Sequence, residues 1–297
     1  MSNTAHLAGK AFVVTGSGRG IGRAIALEIA KASGSVVVND LDQEVADEVV
    51  AEIKALGGEA VANTDSVADW AGANNMVTQA VDTFGHISGV INNAGNLRDV
   101  IFHKMTKGDW DSVINVHLNG SFNVSRAAAR HFREQESGVC VHMTSTSGLV
   151  GNFGQANYSA AKAGIVALSK SIALDMQRYN VRSNCIAPFA WSRLIATIPT
   201  DTPDQVARVE KLKKMVPEKV AIVAAALCSD QAAHITGQIF AVRMNEIFLM
   251  SQSRPLRSTH AGDGWTIDSI FETAMPQLES HFYALDRSQD VFSWDPV

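Results

Sequence analysis

The chain is poor in cysteine, has no long hydrophobic run and shows no excess of basic charge. Three cysteines in 297 residues (Cys140, Cys185 and Cys228) are too few and too scattered for a disulfide framework, and no CxxC pair points to zinc or redox work. Two of them lie in apolar runs and read as reduced core thiols. The apolar run Ala221 to Cys228 falls far below the ~18 residues that suggest a membrane span. The opening MSNTAHLAGKAF lacks the basic start and apolar stretch of a signal peptide. These features predict a cytoplasmic protein, or one in another reducing compartment, with no membrane partner. With 25 Lys plus Arg against 30 Asp plus Glu, the net charge is −5, and the basic footprint of a nucleic-acid binder is missing. The nine histidines form no HExxH or paired ligand spacing, so no metal site is expected. There is no GxSxG elbow for serine-hydrolase chemistry, no internal repeat and no low-complexity segment.

What is present is an ordinary globular composition, 46% hydrophobic and 19% charged, with ample material for a core. Short β-branched runs alternate with longer helical patterns. Strands are predicted at Ala11–Val14, Ser35–Asn39, Ala60–Ala62, Ile87–Ile91, Gly138–Met143 and Arg182–Ala187. Between them, helices are predicted at Gly20–Ala32, Gln43–Leu56, Ala68–Phe84, Lys107–Gln135 and Gln155–Arg178. The SVVVN run at Ser35–Asn39 is continuous in apolar residues, as in a strand buried on both faces of a parallel sheet. This rhythm predicts an α/β fold, a Rossmann-type doubly wound parallel sheet with right-handed crossovers. Residues Phe189–Val216 mix Pro, Thr and charge and read as a flap; a helix at Pro217–Cys228 and a strand at Gln238–Val242 are expected to close the sheet. We read residues 1–244 as a single dinucleotide-binding and catalytic domain, and 245–297 as a C-terminal extension packed on it or on a neighbouring subunit. Trp265–Leu278 is the one amphipathic helix expected there.

The turn after the first strand reads Thr15-Gly16-Ser17-Gly18-Arg19-Gly20-Ile21-Gly22. Glycines let the backbone turn sharply and approach a pyrophosphate, whose charge is met by N–H groups opening the next helix. Asp40 stands 18 positions past Gly22, at the end of the second strand, close to the spacing for ribose recognition. Its carboxylate accepts from ribose hydroxyls and repels a 2′-phosphate, so NAD is favoured over NADP. Arg19 is the dissenting residue, since a guanidinium there neutralises such a phosphate.

With this turn, Asn92-Asn93-Ala94-Gly95, Ser145 and Tyr158-x-x-x-Lys162, the chain resembles the short-chain dehydrogenase/reductase family over about Gly9 to Val242. Val37-Val38-Asn39-Asp40-Leu41, Val116-His117-Leu118-Asn119-Gly120-Ser121-Phe122 and Ile186-Ala187-Pro188 with Ser192-Arg193 look most like its (3R)-hydroxyacyl-CoA dehydrogenase branch, found in peroxisomal multifunctional enzyme type 2 and bacterial relatives. The resemblance implies that Gly16, Ser17, Arg19, Gly20, Ile21 and Gly22 border the cofactor. It adds Asp40 and Leu41 at the ribose, Asp65 and Ser66 at the adenine, Asn93 and Gly95 beside the nucleotide, and Ser192 at the carboxamide. It also implies a homodimer or homotetramer built on the helices at about Lys107–Gln135 and Gln155–Arg178, and a small apolar alcohol or ketone as substrate, a hydroxyacyl-CoA ahead of a hydroxysteroid.

Tyr158 and Lys162 are four apart, one helical turn from each other. A tyrosine with its ordinary pKa of about 10 cannot take a proton near neutrality; a nearby ammonium and an oxidised nicotinamide both favour the phenolate. Ser145 follows the Gly138–Met143 strand, at the carboxyl end where α/β sheets bind ligands. Thr144 and Ser147 are its local alternatives, and capping is the plain explanation of any of the three. The expected reaction is NAD-dependent interconversion of a secondary alcohol and a ketone: Tyr158 as base, Ser145 placing the oxygen, Lys162 lowering the Tyr158 pKa and binding the ribose. The alternatives are an NADPH-dependent carbonyl reductase and a non-catalytic NAD-binding sensor or scaffold. His117 departs from the family pattern, taking the place where asparagine usually helps a proton relay. An imidazole there either serves the relay or is a hydrogen-bonded core histidine. Phe189, where glycine is common, and Trp191 either add apolar area at the pocket mouth or pack on the core. The lysines at 211, 213 and 214 read as solvated surface, with attraction of a CoA phosphate as the other reading.

Overall fold

The computed structural model describes residues 5–190, 202 and 212–297. Ser192, Trp191, Lys211 and most of the expected flap lie outside the described residues. Eight strands form one sheet in the order β3-β2-β1-β4-β5-β6-β7-β8. They are β1 (Ala11–Thr15), β2 (Ser35–Asn39), β3 (Ala60–Asn63), β4 (Gly89–Asn92), β5 (Gly138–Met143), β6 (Val181–Phe189), β7 (Ile239–Arg243) and β8 (Glu246–Leu249). The first seven pair in parallel; β8 returns antiparallel along β7. The chain order reverses beside β1, between β1 and β4, which opens the crevice where dinucleotides sit in such sheets.

Alternate residues of each strand feed two separate layers, as the pleat requires. Val14, Val36 and Val38 join one core with Ile25 and Ile29 of α1 (Gly20–Lys31) and Val220 and Ala224 of α8 (Pro217–Cys228). Val13, Val37 and Val90 join the other with Met76 and Val77 of α3 (Trp70–Phe84) and Val124 and Ala128 of α5 (Gly120–Glu134). Burial on both faces explains why β2 is apolar at successive positions. The three cysteines are free and buried.

Local chemistry sets the helix ends. The Asp69 carboxylate accepts from the Gly72 N–H at 2.8 Å, so α3 starts at Trp70 rather than at Ala68. Between α2 (Gln43–Ala55) and β5, one long helix was expected from Lys107 to Gln135. The structure instead has α4 (Lys107–Ile114), a π turn over Asn115–Asn119, and α5. A π turn closes i→i+5 for a single turn inside an otherwise helical pattern, and such turns are frequent at functional sites. The 155–178 helix is α7 (Ala156–Met176) with a 3₁₀ turn after it, preceded by the short α6 (Thr146–Leu149).

The sheet continues past residue 244 into β8, which the sequence did not suggest. In Glu246-Ile247-Phe248-Leu249 the apolar Ile247 and Leu249 are exposed while Glu246 and Phe248 are half-buried, so no clean inside-apolar alternation marks the strand. The reason is Arg243, buried at the end of β7, whose Nε donates to the Glu246 carboxylate at 2.7 Å. The expected helix at 265–278 is present over 267–278, with a π turn at Ile270–Ala274. No helix among the described residues is long and apolar enough to cross a membrane.

Candidate active site

The glycine turn is built for close approach. Gly16 has φ +59°, and a Cβ there would lie 2.8 Å from the Ala94 Cα. A Cβ on Gly22 would lie 2.2 Å from the Gly16 carbonyl oxygen, so only glycine lets α1 start this close to β1. Ser17 turns inward: its hydroxyl donates to the Val14 carbonyl at 2.7 Å and its N–H to that of Asn39 at 2.7 Å. Its side chain therefore fixes the turn and does not face a ligand. Asn93 does similar work, its amide donating to the carbonyls of Thr15 and Gly16 at 3.0 and 2.9 Å.

Asp40 stands at the end of β2 and accepts from the Gly18 N–H at 3.0 Å and the Asp42 N–H at 3.2 Å. Arg19 pairs with Asp42 at 2.9 Å, the N-cap of α2, instead of with Asp40. Leu41 beside it is exposed. The Asp65 carboxylate accepts from Asn63 at 2.9 Å, and the Ser66 hydroxyl accepts from the Ala68 N–H at 3.2 Å. A cavity of about 390 Å³ runs from Gly16, Ile21 and Asp40 past Gly95 to Tyr158 and Lys162. Glycines a Cβ would block, an acidic end at Asp40 and a polar far end fit a dinucleotide stretched across the crevice.

At the far end, β5 and α7 bring Ser145, Tyr158 and Lys162 together. Ser145 is the N-cap of α6, its hydroxyl oxygen accepting from the Ser147 N–H at 3.1 Å. A hydrogen bond with this hydroxyl stabilises the Tyr158 phenolate, but burial dominates and pushes the phenol up from its ordinary value, with the Asp99 carboxylate adding to the rise. The alternatives to Ser145 are engaged elsewhere. The Thr144 hydroxyl donates to the Lys162 carbonyl at 2.8 Å, and the Ser147 hydroxyl to Gln155 at 2.8 Å.

Lys162 is buried. Its ammonium lies 5.5 Å from the Tyr158 ring centre and donates to the Met143 carbonyl at 2.5 Å. Burial pushes the lysine itself down to about 7. Among the chain's own groups, burial and the Asp99 carboxylate outweigh the Ser145 hydrogen bond at Tyr158.

His117 lies in the π turn, with its ring edge-on to Tyr158 at 5.2 Å between centres. Its Nε2 faces both the N–H and the carbonyl of Asn96, at 3.1 and 2.8 Å. Whichever tautomer is present, Nδ1 is buried without a partner. Burial first, and the Lys162 charge second, push the imidazole down to about 3. Gly95 is the space the ring needs: a Cβ there would sit 2.3 Å from the His117 Cε1.

Sequence reasoning passed over two residues that build this site. Asn157 is fully buried and donates to the carbonyls of Arg98 and Asp109, both at 3.0 Å, while its own oxygen accepts from the Tyr158 N–H at 2.8 Å. Asp99 accepts from Gln155 at 2.9 Å. Asn157, adjacent to the tyrosine and polar at the start of an apolar helix, carried a usable signal; Asp99, in a loop, carried none. Among the described residues there is no cluster of three or more His, Cys, Asp or Glu suited to a metal ion.

Comparison with known proteins agrees with this geometry. The family model for short chain dehydrogenases matches residues 10–193. A short-chain type dehydrogenase/reductase of Mycobacterium tuberculosis is 49% identical over 233 residues, 75% of this chain and 79% of its own length. A hydroxyacyl-CoA dehydrogenase of the same organism is 36% identical over 99% of this chain and 95% of its own. Mouse peroxisomal multifunctional enzyme type 2 is 43% identical over 82% of this chain, which spans 32% of that enzyme. The crystal structure of a short chain dehydrogenase from Mycobacterium avium superposes with a TM-score of 0.82 at 35% identity, covering 92% of this chain and 95% of that one.

Proposed function

The chain belongs to the short-chain dehydrogenase/reductase family and is an oxidoreductase of CH–OH groups, and on that premise we propose that it interconverts a 3-hydroxyacyl-CoA and its ketone with NAD. Bound NAD supplies the hydride acceptor, and the positive charge of its oxidised ring adds to the forces favouring the Tyr158 phenolate. The Tyr158 oxygen takes the alcohol proton, and the Ser145 hydroxyl holds the same substrate oxygen as charge develops on it. Lys162 gains a reason to be protonated once Tyr158 is anionic, so the two groups titrate as a coupled pair. In the reverse direction the protonated phenol donates.

The observation that carries this reading is the single cavity that joins the Asp40 end of the glycine turn to Tyr158 and Lys162. NAD is supported over NADP because the Asp40 carboxylate already holds the Gly18 N–H, where it opposes a 2′-phosphate, and because Arg19 is drawn toward Asp42. The substrate class is supported by the likeness to the mycobacterial hydroxyacyl-CoA dehydrogenase. The rival reading, an NADPH-dependent reductase, rests on Arg19, exposed and paired only at the surface, where such pairs contribute little. A turnover panel of 3-hydroxyacyl-CoA thioesters, hydroxysteroids and simple alcohols with both cofactors tests the proposal. Oxidation of the thioesters with NAD is expected; tight NAD binding with no turnover of any substrate would point to a sensor, and a strong preference for the phosphorylated cofactor to the reductase. The same reading carries a homodimer or homotetramer, in which case sedimentation shows no monomer at micromolar concentration.

A further inference from the structure

The last eleven residues tie together two lips of the crevice that are far apart in sequence. At one end, the Ser288 N–H and hydroxyl both donate to the Gly151 carbonyl, at 2.9 and 3.1 Å. The Arg287 guanidinium lies 5.5 Å from the Phe153 ring centre and holds Asp290 through two hydrogen bonds of 2.8 and 2.7 Å. Gly151 and Phe153 belong to the loop between Ser145 and Tyr158. At the other end, Phe292 packs edge-on against Phe189, 5.0 Å between centres. Phe189 directly follows Pro188, which lines the cofactor cavity.

Between these ends sits a buried latch. Arg243 is 3% exposed; its Nη1 donates to the Trp294 carbonyl at 2.8 Å, and its guanidinium lies 4.6 Å from the Trp294 ring centre. The Trp294 indole N–H donates to Glu246 at 2.8 Å, and the Asn245 N–H to the Val297 carbonyl at 3.0 Å. These contacts, with Arg243 Nη2 itself buried without a partner, join the C-terminus to β7 and β8. The lip it reaches is apolar and unshielded: Phe153 is 76% exposed, and Phe102, 74% exposed, stands on the loop whose Val100 N–H donates to the Gly154 carbonyl at 2.8 Å. The two loops follow β4 and β5 at their carboxyl ends, the edge at which parallel sheets bind ligands, and exposed aromatics there offer apolar surface to one.

We propose that the Arg287–Val297 segment is a clasp that sets the Gly151–Gly154 lip and Phe189 in place, so that Phe153 and Phe292 flank the aliphatic part of the substrate and select long acyl chains over short ones. This deepens the hydroxyacyl-CoA reading and rests on it. The test compares 3-hydroxydecanoyl-CoA with 3-hydroxybutyryl-CoA in the wild type, in Phe153→Ala, which changes an exposed side chain, and in Phe292→Ala. Because both thioesters carry the same CoA, their ratio of kcat/KM isolates the acyl end. That ratio is expected to fall about tenfold in each variant, chiefly through KM for the long substrate. Calorimetric binding of decanoyl-CoA to the NADH-loaded protein needs no turnover and is expected to weaken by about the same factor. An unchanged ratio and unchanged decanoyl-CoA binding in both variants overturn the clasp. Decanoyl-CoA binding that weakens in the variants, when the wild type oxidises neither thioester, leaves the clasp standing and overturns the reaction instead.

Discussion

Asp40 and His117 show what single residues decide here. The Asp40 carboxylate is held by two backbone N–H groups, so its position is fixed before any ligand arrives. Replacing it by asparagine keeps the shape and removes the charge; Asp40→Asn is expected to bring NADP affinity up by about tenfold relative to NAD, measured by fluorescence titration of both. An unchanged ratio would assign cofactor choice to other groups. His117 was open between a relay and a core role. The structure favours a neutral ring, since an imidazole pushed down to about 3 carries no charge across a working range of about pH 5 to 9. His117→Asn is therefore expected to leave the pH at which kcat/KM is half-maximal where it was; an acid limb near pH 6.5 that vanishes in the variant would show the imidazole titrating. Tyr158 and Lys162 stood out through their local spacing, and Ser145 through the family pattern. Their electrostatics were not legible, because the depth of Lys162 is a property of the folded helix layer and is absent from a four-residue interval.

At the scale of elements, the strand–turn–helix unit around the glycines was legible because its glycines are required by close contacts or by a positive φ. Gly22 and Gly20 separate two such requirements. A methyl on Gly22 meets the Gly16 carbonyl at 2.2 Å, whereas Gly20 has open space but φ +55°. Gly22→Ala is expected to weaken NAD binding by more than about tenfold, and Gly20→Ala to cost about 1–2 kcal/mol of backbone strain with a smaller effect on binding. Equal effects in the two variants, by titration and thermal melting, would contradict this reading of the turn. The π turn under His117 and the strand β8 were illegible for opposite reasons. The first hides inside a helical pattern, and the second exposes two of its apolar residues and turns Glu246 toward Arg243.

The whole molecule adds a pH dependence that no segment shows alone. His142, at the centre of the sheet, is hydrogen-bonded to Asn92 and Ser183, both at 3.2 Å. Burial pushes it down to about 4, and His117 to about 3, from 6.5. Below pH 6.5 the unfolded chain binds protons that these buried rings refuse, so stability falls as pH drops toward 4. Lys162, lowered to about 7 from 10.5, acts in the same sense at higher pH: stability rises as the unfolded lysine gives up its proton. The buried Cys140 and Cys228 thiols, both raised to about 12 from 9.0, together reverse the trend above pH 9, where the unfolded thiols ionise first. A melting series should therefore place maximum stability between about pH 7 and 9, with His142→Asn flattening the acid side; a maximum at pH 5 would contradict these burials. The C-terminal extension was the least legible part of the fold, because its order comes from contacts with residues 151, 189 and 243 rather than from a rhythm of its own.

The claim on which the proposed chemistry depends is that the Tyr158 oxygen exchanges the proton with the substrate. The most direct measurement pairs kcat for 3-hydroxyacyl-CoA oxidation with the NAD Kd in Tyr158→Phe. The account predicts kcat lower by on the order of 10³-fold with Kd within about twofold of the wild type. A phenylalanine variant that turns over at the wild-type rate would contradict it.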